Sequence, residues 1–217
     1  MPELTIRSIE DRDLDQIADI HRASFHDRAL SQLGNAAIKR YYNWLLRGFP
    51  DNFPFCAVSE NGWIAGFCFA GDYSGSFSGF LQHNRGFLIR TIILRPWLIF
   101  NPLIREQSKL AIKTLMSLLK MRMTKQVSLE KVVKVKANAF KSFGILAIAV
   151  NPDFQRQGIG QLLMETAENR AITNGYQQMH LSVHPENIPA VRFYEKLGWY
   201  KIPPGENWYG KMTKKLN

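Results

Sequence analysis

The chain has 217 residues, 46% of them apolar and 21% charged, which suits one domain with a substantial core and excludes a largely disordered polymer. Its 28 Lys and Arg against 18 Asp and Glu give a formal net charge of +10. That excess belongs to one stretch. Residues 73–142 hold 13 basic side chains against Glu106 and Glu130, a net of +11, and the other 15 basic and 16 acidic residues nearly cancel. No recognition helix or zinc-ligand spacing accompanies the charge, so nucleic-acid binding is not expected. The first residues, from Met1 to Asp11, contain no apolar run of the kind a signal peptide needs, and the expected compartment is the cytoplasm. The organisation expected is a single domain over residues 1–217 with a basic insert over 73–142.

In chain order, Leu4 to Ile9 alternates apolar and polar residues as a half-buried first strand does. Asp11 or Asp13 can cap a helix running to Ser24, with Leu14, Ile17, Ala18 and His21 on one face. His26, Asp27 and Arg28 read as a loop, and Ser31 to Arg47 as a second helix rich in aromatics. Asn61-Gly62 predicts a two-residue hairpin turn between strands Phe53–Glu60 and Trp63–Gly71. In that register Glu60 faces Trp63, Cys56 faces Phe67 and Cys68 faces Phe55. The two cysteines then point to opposite sides of the sheet, and a disulfide between them is not expected.

The insert begins with Tyr73 to Gly79, read as a flexible entry. Phe87 to Ile104 is strongly apolar and about long enough to span a bilayer. Arg90 and Arg95 near its middle would cost roughly 2.5 to 3.5 kcal/mol each there, so a transmembrane helix is rejected. Arg105 to Met123 sets Leu110, Ile112, Leu115, Met116, Leu118 and Leu119 against Lys109, Lys113 and Lys120, a basic amphipathic helix. Lys125 to Lys141 is a polar, basic return. Three roles are compatible with such an insert: packing on the core or in a homodimer, peripheral contact with an anionic membrane, and a lid over an acidic substrate.

The stretch from Val150 to Glu165 organises the remainder. An apolar run, Gly144 to Val150, reads as a buried strand, and Ile159, Leu163 and Ala167 recur every four residues as in an amphipathic helix that stops at Asn174-Gly175. Between them lies a Pro-containing turn and a Gly-rich loop. A helix N-terminus presents unpaired N–H groups and the positive end of its dipole, so this joint is an anion site, most often for phosphate. Further on, Gln178 to Val183 reads as a strand, Asn187 as the N-cap of a helix with Pro189 in its first turn, and Trp199–Ile202 and Tyr209–Leu216 as closing strands.

The loop, Gln155-Arg156-Gln157-Gly158-Ile159-Gly160, resembles the pyrophosphate loop of the GCN5-related N-acetyltransferases, the GNAT superfamily. Asn187-Ile-Pro-Ala-Val-Arg-Phe-Tyr-Glu-Lys-Leu-Gly-Trp199 matches that family's second element, N-x-x-A-x-x-F-Y-x-x-x-G-F. The resemblance implies an α/β fold: a mostly antiparallel mixed sheet, splayed between its fourth and fifth strands, with helices on its faces and here a helical insert after strand three. The insert's layout is similar to acetyltransferases associated with bacterial surface-polysaccharide synthesis, which would make the acceptor an amino sugar. The implied activity is acetyl transfer from acetyl-CoA to a primary amine, without a metal. A non-enzymatic acyl-CoA-binding module is the alternative.

On the same resemblance, the cofactor would meet Ile148, Val150, Gln155, Arg156, Gln157, Gly158, Ile159, Gly160, Gln161, Asn187 and Tyr194. The Val150 N–H would face the thioester carbonyl as an oxyanion donor. Tyr194 follows Asn187 by two helical turns and would protonate the departing thiol. Strand four lacks the glutamate that many relatives use as base. Candidates at strand ends are His184, Glu186 and Asp72, with His83 and Asp27 further off, and His184 has the most suitable unperturbed pKa. The loop His26–Arg28 would border the acceptor pocket.

Overall fold

The computed structural model describes residues 4–49, 52–100, 143–205 and 208–216. Within them, seven strands form one sheet: β1 (Leu4–Ser8), β2 (Phe53–Ser59), β3 (Ile64–Gly71), β4 (Phe143–Val150), β5 (Gln178–Ser182), β6 (Tyr200–Lys201) and β7 (Lys211–Lys215). Their spatial order is β1-β2-β3-β4-β5-β7-β6, and every neighbouring pair is antiparallel except β4–β5. The helices are α1 (Leu14–Ser24), α2 (Ala29–Gln32), α3 (Asn35–Gly48), α4 (Ser76–His83), α5 (Arg85–Leu94), α6 (Ile159–Thr173) and α7 (Ile188–Lys196).

The sheet has a core on each side. On one side Phe55, Cys68, Phe143 and Ile145 pack with Ile159, Leu163 and Met164 of α6 and Tyr194 of α7. On the other, Cys56, Phe67 and Phe69 pack with Ile17 of α1, Ile38, Tyr42 and Leu45 of α3, and Phe80 of α4. β3 lies between the two and is buried at every position, which is why it reads as one apolar run and not as an alternation. The expected face of α1 holds: Leu14, Ile17, Ala18 and His21 are all buried. Asp13 ties that helix to the sheet through Arg7 of β1, with contacts of 2.6 and 2.7 Å. Burial alone would raise the Asp13 carboxyl, but the Arg7 guanidinium and the Glu10 N–H hold it below the usual carboxylate range.

The β2–β3 register shows two departures that cancel. The turn is three residues, Glu60 to Gly62, so Ser59 and not Glu60 bonds across to Trp63. A bulge between Ala57 and Val58, with Ala65 as the extra residue on β3, then restores the expected pairs Cys56↔Phe67 and Phe55↔Cys68. Both cysteines are free and buried, on opposite faces.

Other expectations need correction. Ser31–Arg47 is not one helix, because Gly34 at φ 90° breaks it into α2 and α3. Ser76 to Gly79 is not a flexible entry but the first turn of α4, locked by the Trp44 indole donating to Ser76 C=O at 3.1 Å and by buried Tyr73 and Phe80. The apolar run from Phe87 stops being α-helical at Leu94, since Arg95 precedes Pro96 and is pushed out of the helical region. A 3-10 turn, Pro96–Phe100, follows. Among the described residues no helix is long and apolar enough to cross a membrane. The helix expected over Arg105–Met123 and the return over Lys125–Lys141 lie outside the described residues.

His21 gives a pH prediction. Its Nδ1 meets the Tyr42 hydroxyl at 2.7 Å, and burial pulls the imidazole down to about 4. The unfolded chain, with the group near 6.5, therefore binds more protons between those values, so stability is full above about 6.5 and declines as pH falls towards 4. The shift corresponds to at most about 3 kcal/mol. Thermal melts across that window should show a smaller loss for His21→Gln than for the wild type, and equal losses would refute the assignment.

Candidate active site

β4 and β5 pair over only three positions, Phe143 to Ile145 against Met179 to Leu181. Beyond them the strands part, and among the described residues Leu146 to Val150 continues with β3 as its only strand neighbour. The divergence begins at a bulge: the β3–β4 register slips between Phe69 and Ala70, leaving Leu146 unopposed. A bulge bends its strand and strengthens its twist.

The opening is a cleft of about 710 Å³. One wall is β4 from Ile145 to Val150, and the other is the end of β5 with Val183, His184, Asn187 and Tyr194. Residues Ala23 to Arg28, at the end of α1, close a third side. The N–H of Asn151 bonds the Ala65 C=O at 2.9 Å, towards β3. Alternate residues of a strand point their polar backbone groups to opposite neighbours, so those of Val150 and Ile148 are aimed away from β3, into the cleft. The Gln155 amide lies on that side, 3.5 Å from Val150 C=O.

The loop at the mouth has an unusual backbone. Arg156 adopts φ 61°, and is the one non-glycine residue with positive φ among those described; Gly158 follows at φ 78° as the N-cap of α6. Left-handed residues in such a turn direct successive N–H groups into one concavity. The Gln155 N–H is committed to Pro152 C=O at 3.3 Å, and among the described residues no backbone carbonyl takes those of Arg156, Gln157 or Gly158. With the first-turn N–H groups of Ile159, Gly160 and Gln161, which have no intrahelical partner, these form a run of candidate donors from Arg156 to Gln161.

The expected site residues sit in distinct settings. Ile159 is buried, so only its backbone can face a ligand. Gly160 serves packing: a Cβ there would lie 3.3 Å from the Phe193 ring. The Gln161 amide is turned along α6 to Glu165 at 2.8 Å. Asn187 uses its Oδ1 as the N-cap of α7, accepting from Ala190 N–H at 3.2 Å. Tyr194 lines the cleft and is 9% exposed, and burial raises its hydroxyl well above the ordinary value. His184 is at the rim, exposed, with Nδ1 3.4 Å from Glu186 N–H.

The loop His26–Arg28 belongs to the cleft, whereas Asp72 and His83 do not line it. Asp72 accepts from Ser74, and His83 stacks on Trp44 at 4.7 Å. The sequence reading missed Leu146, whose bulge no local pattern announces, and Glu186 as a wall residue beside its role as a base candidate. Among the described residues no cluster of ligating side chains could hold a metal.

Residues 130–199 match the model of the acetyltransferase (GNAT) family, about a third of the chain. The [ribosomal protein bS18]-alanine N-acetyltransferase of Salmonella typhimurium is 39% identical over 62 residues, 29% of this chain and 42% of the relative. An N-alpha-acetyltransferase of Saccharolobus solfataricus is 33% identical over 67 residues, 30% of this chain and 40% of its own length. The chain thus spans less than half the length of these curated relatives. In structure it is similar to a protein of Pyrococcus horikoshii OT3, with TM-score 0.55 and 16% identity over 99% of both chains. The paia N-acetyltransferase of Thermoplasma acidophilum, solved in complex with coenzyme A, gives TM-score 0.54 and 13% identity over 98% of this chain and 99% of that one. The fold is that of the GNAT acetyltransferases: a mixed sheet flanked by helices and splayed between β4 and β5.

The close contact of Gly160 with Phe193 yields a structural prediction. Gly160→Val should force α6 and α7 apart and cost about 1 to 3 kcal/mol. Differential scanning calorimetry should show a lower melting temperature, and near-ultraviolet circular dichroism should show a disturbed aromatic environment around Phe193 and Tyr194. A variant that matches the wild type in both would mean that the two helices do not pack through this point.

Proposed function

We propose that the chain is an acetyl-CoA-dependent N-acetyltransferase that acts on a primary amine by direct attack on the thioester. The observation that carries this reading is one cleft lined by the β4 edge that β5 leaves unpaired and by Tyr194, with Gln155 on its wall leading directly into the free N–H groups at the start of α6. The N–H groups from Arg156 to Gln161 would take the pyrophosphate, with Arg156 adding a side-chain charge. The backbone of Ile148 and Val150 would pair with the extended pantetheine arm as a further strand would. Asn187 has its oxygen committed to the helix cap, which leaves its NH₂ group for a pantetheine carbonyl.

In the reaction the amine nitrogen bonds to the acetyl carbon, the carbon–sulfur bond breaks, the amine gives up one proton and the sulfur gains one. The Val150 N–H is the donor for the charge that develops on the carbonyl oxygen. Tyr194, like any phenol, carries its proton at neutral pH, burial holds it the more firmly, and the hydroxyl can donate to the departing sulfur. His184 is the candidate base. An imidazole whose Nδ1 accepts from Glu186 carries its proton on Nε2 when neutral, and at an exposed rim that contact is cheaply exchanged for water.

The acceptor enters past His26, Asp27 and Arg28, where the Asp27 carboxylate suits an ammonium group. A small-molecule amine or amino sugar is the reading favoured here, the basic insert suiting phosphates attached to such a sugar. The names of the relatives favour a second reading, a protein or peptide amine. The acceptor wall at Ala23–Arg28 lies outside the matched residues 130–199, so it can differ from theirs.

A thiol-release assay with acetyl-CoA against amino sugars, small amines and Ala-initiated peptides tests the activity. No thiol release with any of these acceptors, despite tight acetyl-CoA binding, would leave only a binding module. Gly158→Asp places a charge and a strained φ at the anion site and should weaken acetyl-CoA at least tenfold in calorimetry; unaltered affinity would remove the loop from the cofactor site. Tyr194→Phe should lower kcat by about 100-fold or more with acetyl-CoA affinity nearly intact. A wild-type kcat would show that the thiolate departs unaided. For His184→Ala, an unaltered pH–rate profile would reject it as the base.

A further inference from the structure

We propose that the outer face of α5 is a docking surface for an anionic membrane. α5 is held to the domain by one side only. The Arg40 guanidinium lies over the Phe87 ring at 4.5 Å, and Leu88 packs against the buried cluster of α1 and α3. With Thr91 and Ile92 these make the half-buried inner side. The outer arc carries Ile89, Arg90, Ile93 and Leu94, and the turn that follows adds Trp97. Ile93 is 71%, Leu94 65% and Trp97 63% exposed, although Leu98 beside them is buried. Aliphatic side chains at consecutive outward positions are costly in water, because apolar surface gains free energy when it is buried. A face of this kind marks a contact surface.

Charge identifies the occupant. From Tyr73 to Arg105 the sequence contains Arg85, Arg90, Arg95 and Arg105 and no acidic residue, and residues 73–142 carry a net of +11. A second copy docking face to face would bring this cationic segment against itself. A nucleic acid would satisfy the arginines but leave Ile93, Leu94 and Trp97 in water. An anionic lipid surface satisfies both kinds of group. The aliphatic side chains and the indole enter the headgroup–acyl boundary, and Arg90, in the middle of the arc, reaches up to lipid phosphates. Arg95 does not share this role, because its guanidinium folds back to within 3.1 Å of the Cβ position at Gly34. The surface is independent of the catalytic reading, since none of its residues lines the cleft.

Vesicle sedimentation with the full chain tests it. Wild-type protein should pellet with vesicles rich in phosphatidylglycerol and stay in solution with phosphatidylcholine alone. Binding should weaken at least tenfold between about 0.01 M and about 1 M salt, as the screening length falls from roughly 30 to 3 Å. Arg90→Glu should weaken binding at low salt. The double variant Ile93→Ser/Trp97→Ser should lose at least tenfold at every salt concentration, with an unchanged melting temperature and elution volume. Wild-type protein that remains in the supernatant with anionic vesicles at low salt overturns the proposal. So does a double variant that melts earlier or changes its oligomeric state, because the face would then be covered by protein.

Discussion

The three-residue limit on β4–β5 pairing governs everything else in this molecule. A parallel pair of strands normally runs for its full length because every backbone N–H and C=O removed from water must find a partner. Here the pair ends at Ile145 and Leu181, and the polar groups of the next β4 residues face a cleft. The sheet can tolerate this because β4 is secured on its other side by β3, whose every residue is buried between two cores. The bulge at Leu146 supplies the bend. An unpaired edge is an aggregation hazard when it faces solvent broadly. Inside a cleft only a narrow extended ligand can reach it.

The same divergence sets the position of the proposed anion site. α6 leaves the end of β4 through a turn in which Asn151 is anchored to Ala65 and Ile64, so the start of the helix is fixed relative to the open strand. α7 is fixed in turn by α6, through Gly160 and Phe193, and carries Tyr194 into the cleft wall. The strand edge, the helix N-terminus and the hydroxyl therefore form one rigid unit built from residues 143 to 199. The wall from Ala23 to Arg28 comes from the other side of the sheet, through the independent α1–α3 core. A division of this kind lets the proposed acceptor wall vary without disturbing the proposed cofactor side.

Legibility in the sequence followed the range of the interactions involved. The strand–loop–helix joint at 144–170 is local: its apolar run, glycines and four-residue period are each set by neighbours in the chain, and all appear where expected. α1 was readable for the same reason. The Cys56–Phe67 pairing was reached through a turn one residue too short and a bulge that could not be seen, two errors that cancelled. What failed depended on distant partners. Ser76–Gly79 looks like a linker because its helix is stabilised by Trp44, 32 residues away. The Ser31–Arg47 period conceals a break because it continues through Gly34 in number but not in backbone angle. His184 was chosen for its place at a strand end and its unperturbed pKa; the rim exposure that suits a base is a tertiary fact that neither could supply.

The placement of the titratable groups makes physical sense of the proposed proton traffic. An amine with pKa about 10.4 arrives at neutral pH as the ammonium form, and neutralising it costs about 4 to 5 kcal/mol. The proton so released must leave the site, which requires a group in contact with bulk water. His184 and Asp27, both on the exposed rim, meet that requirement. The group that donates to the departing sulfur has the opposite need: it must hold its proton until the carbon–sulfur bond weakens, and an exposed acid of low pKa would already have lost it. Tyr194, buried against Phe193 and Trp199 with its ionisation suppressed, meets that second need. The cleft thus runs from a buried hydroxyl to an exposed rim, an order that suits the proposed roles. β4 itself carries no carboxylate from Phe143 to Val150, so on this account the proton leaves through the rim groups.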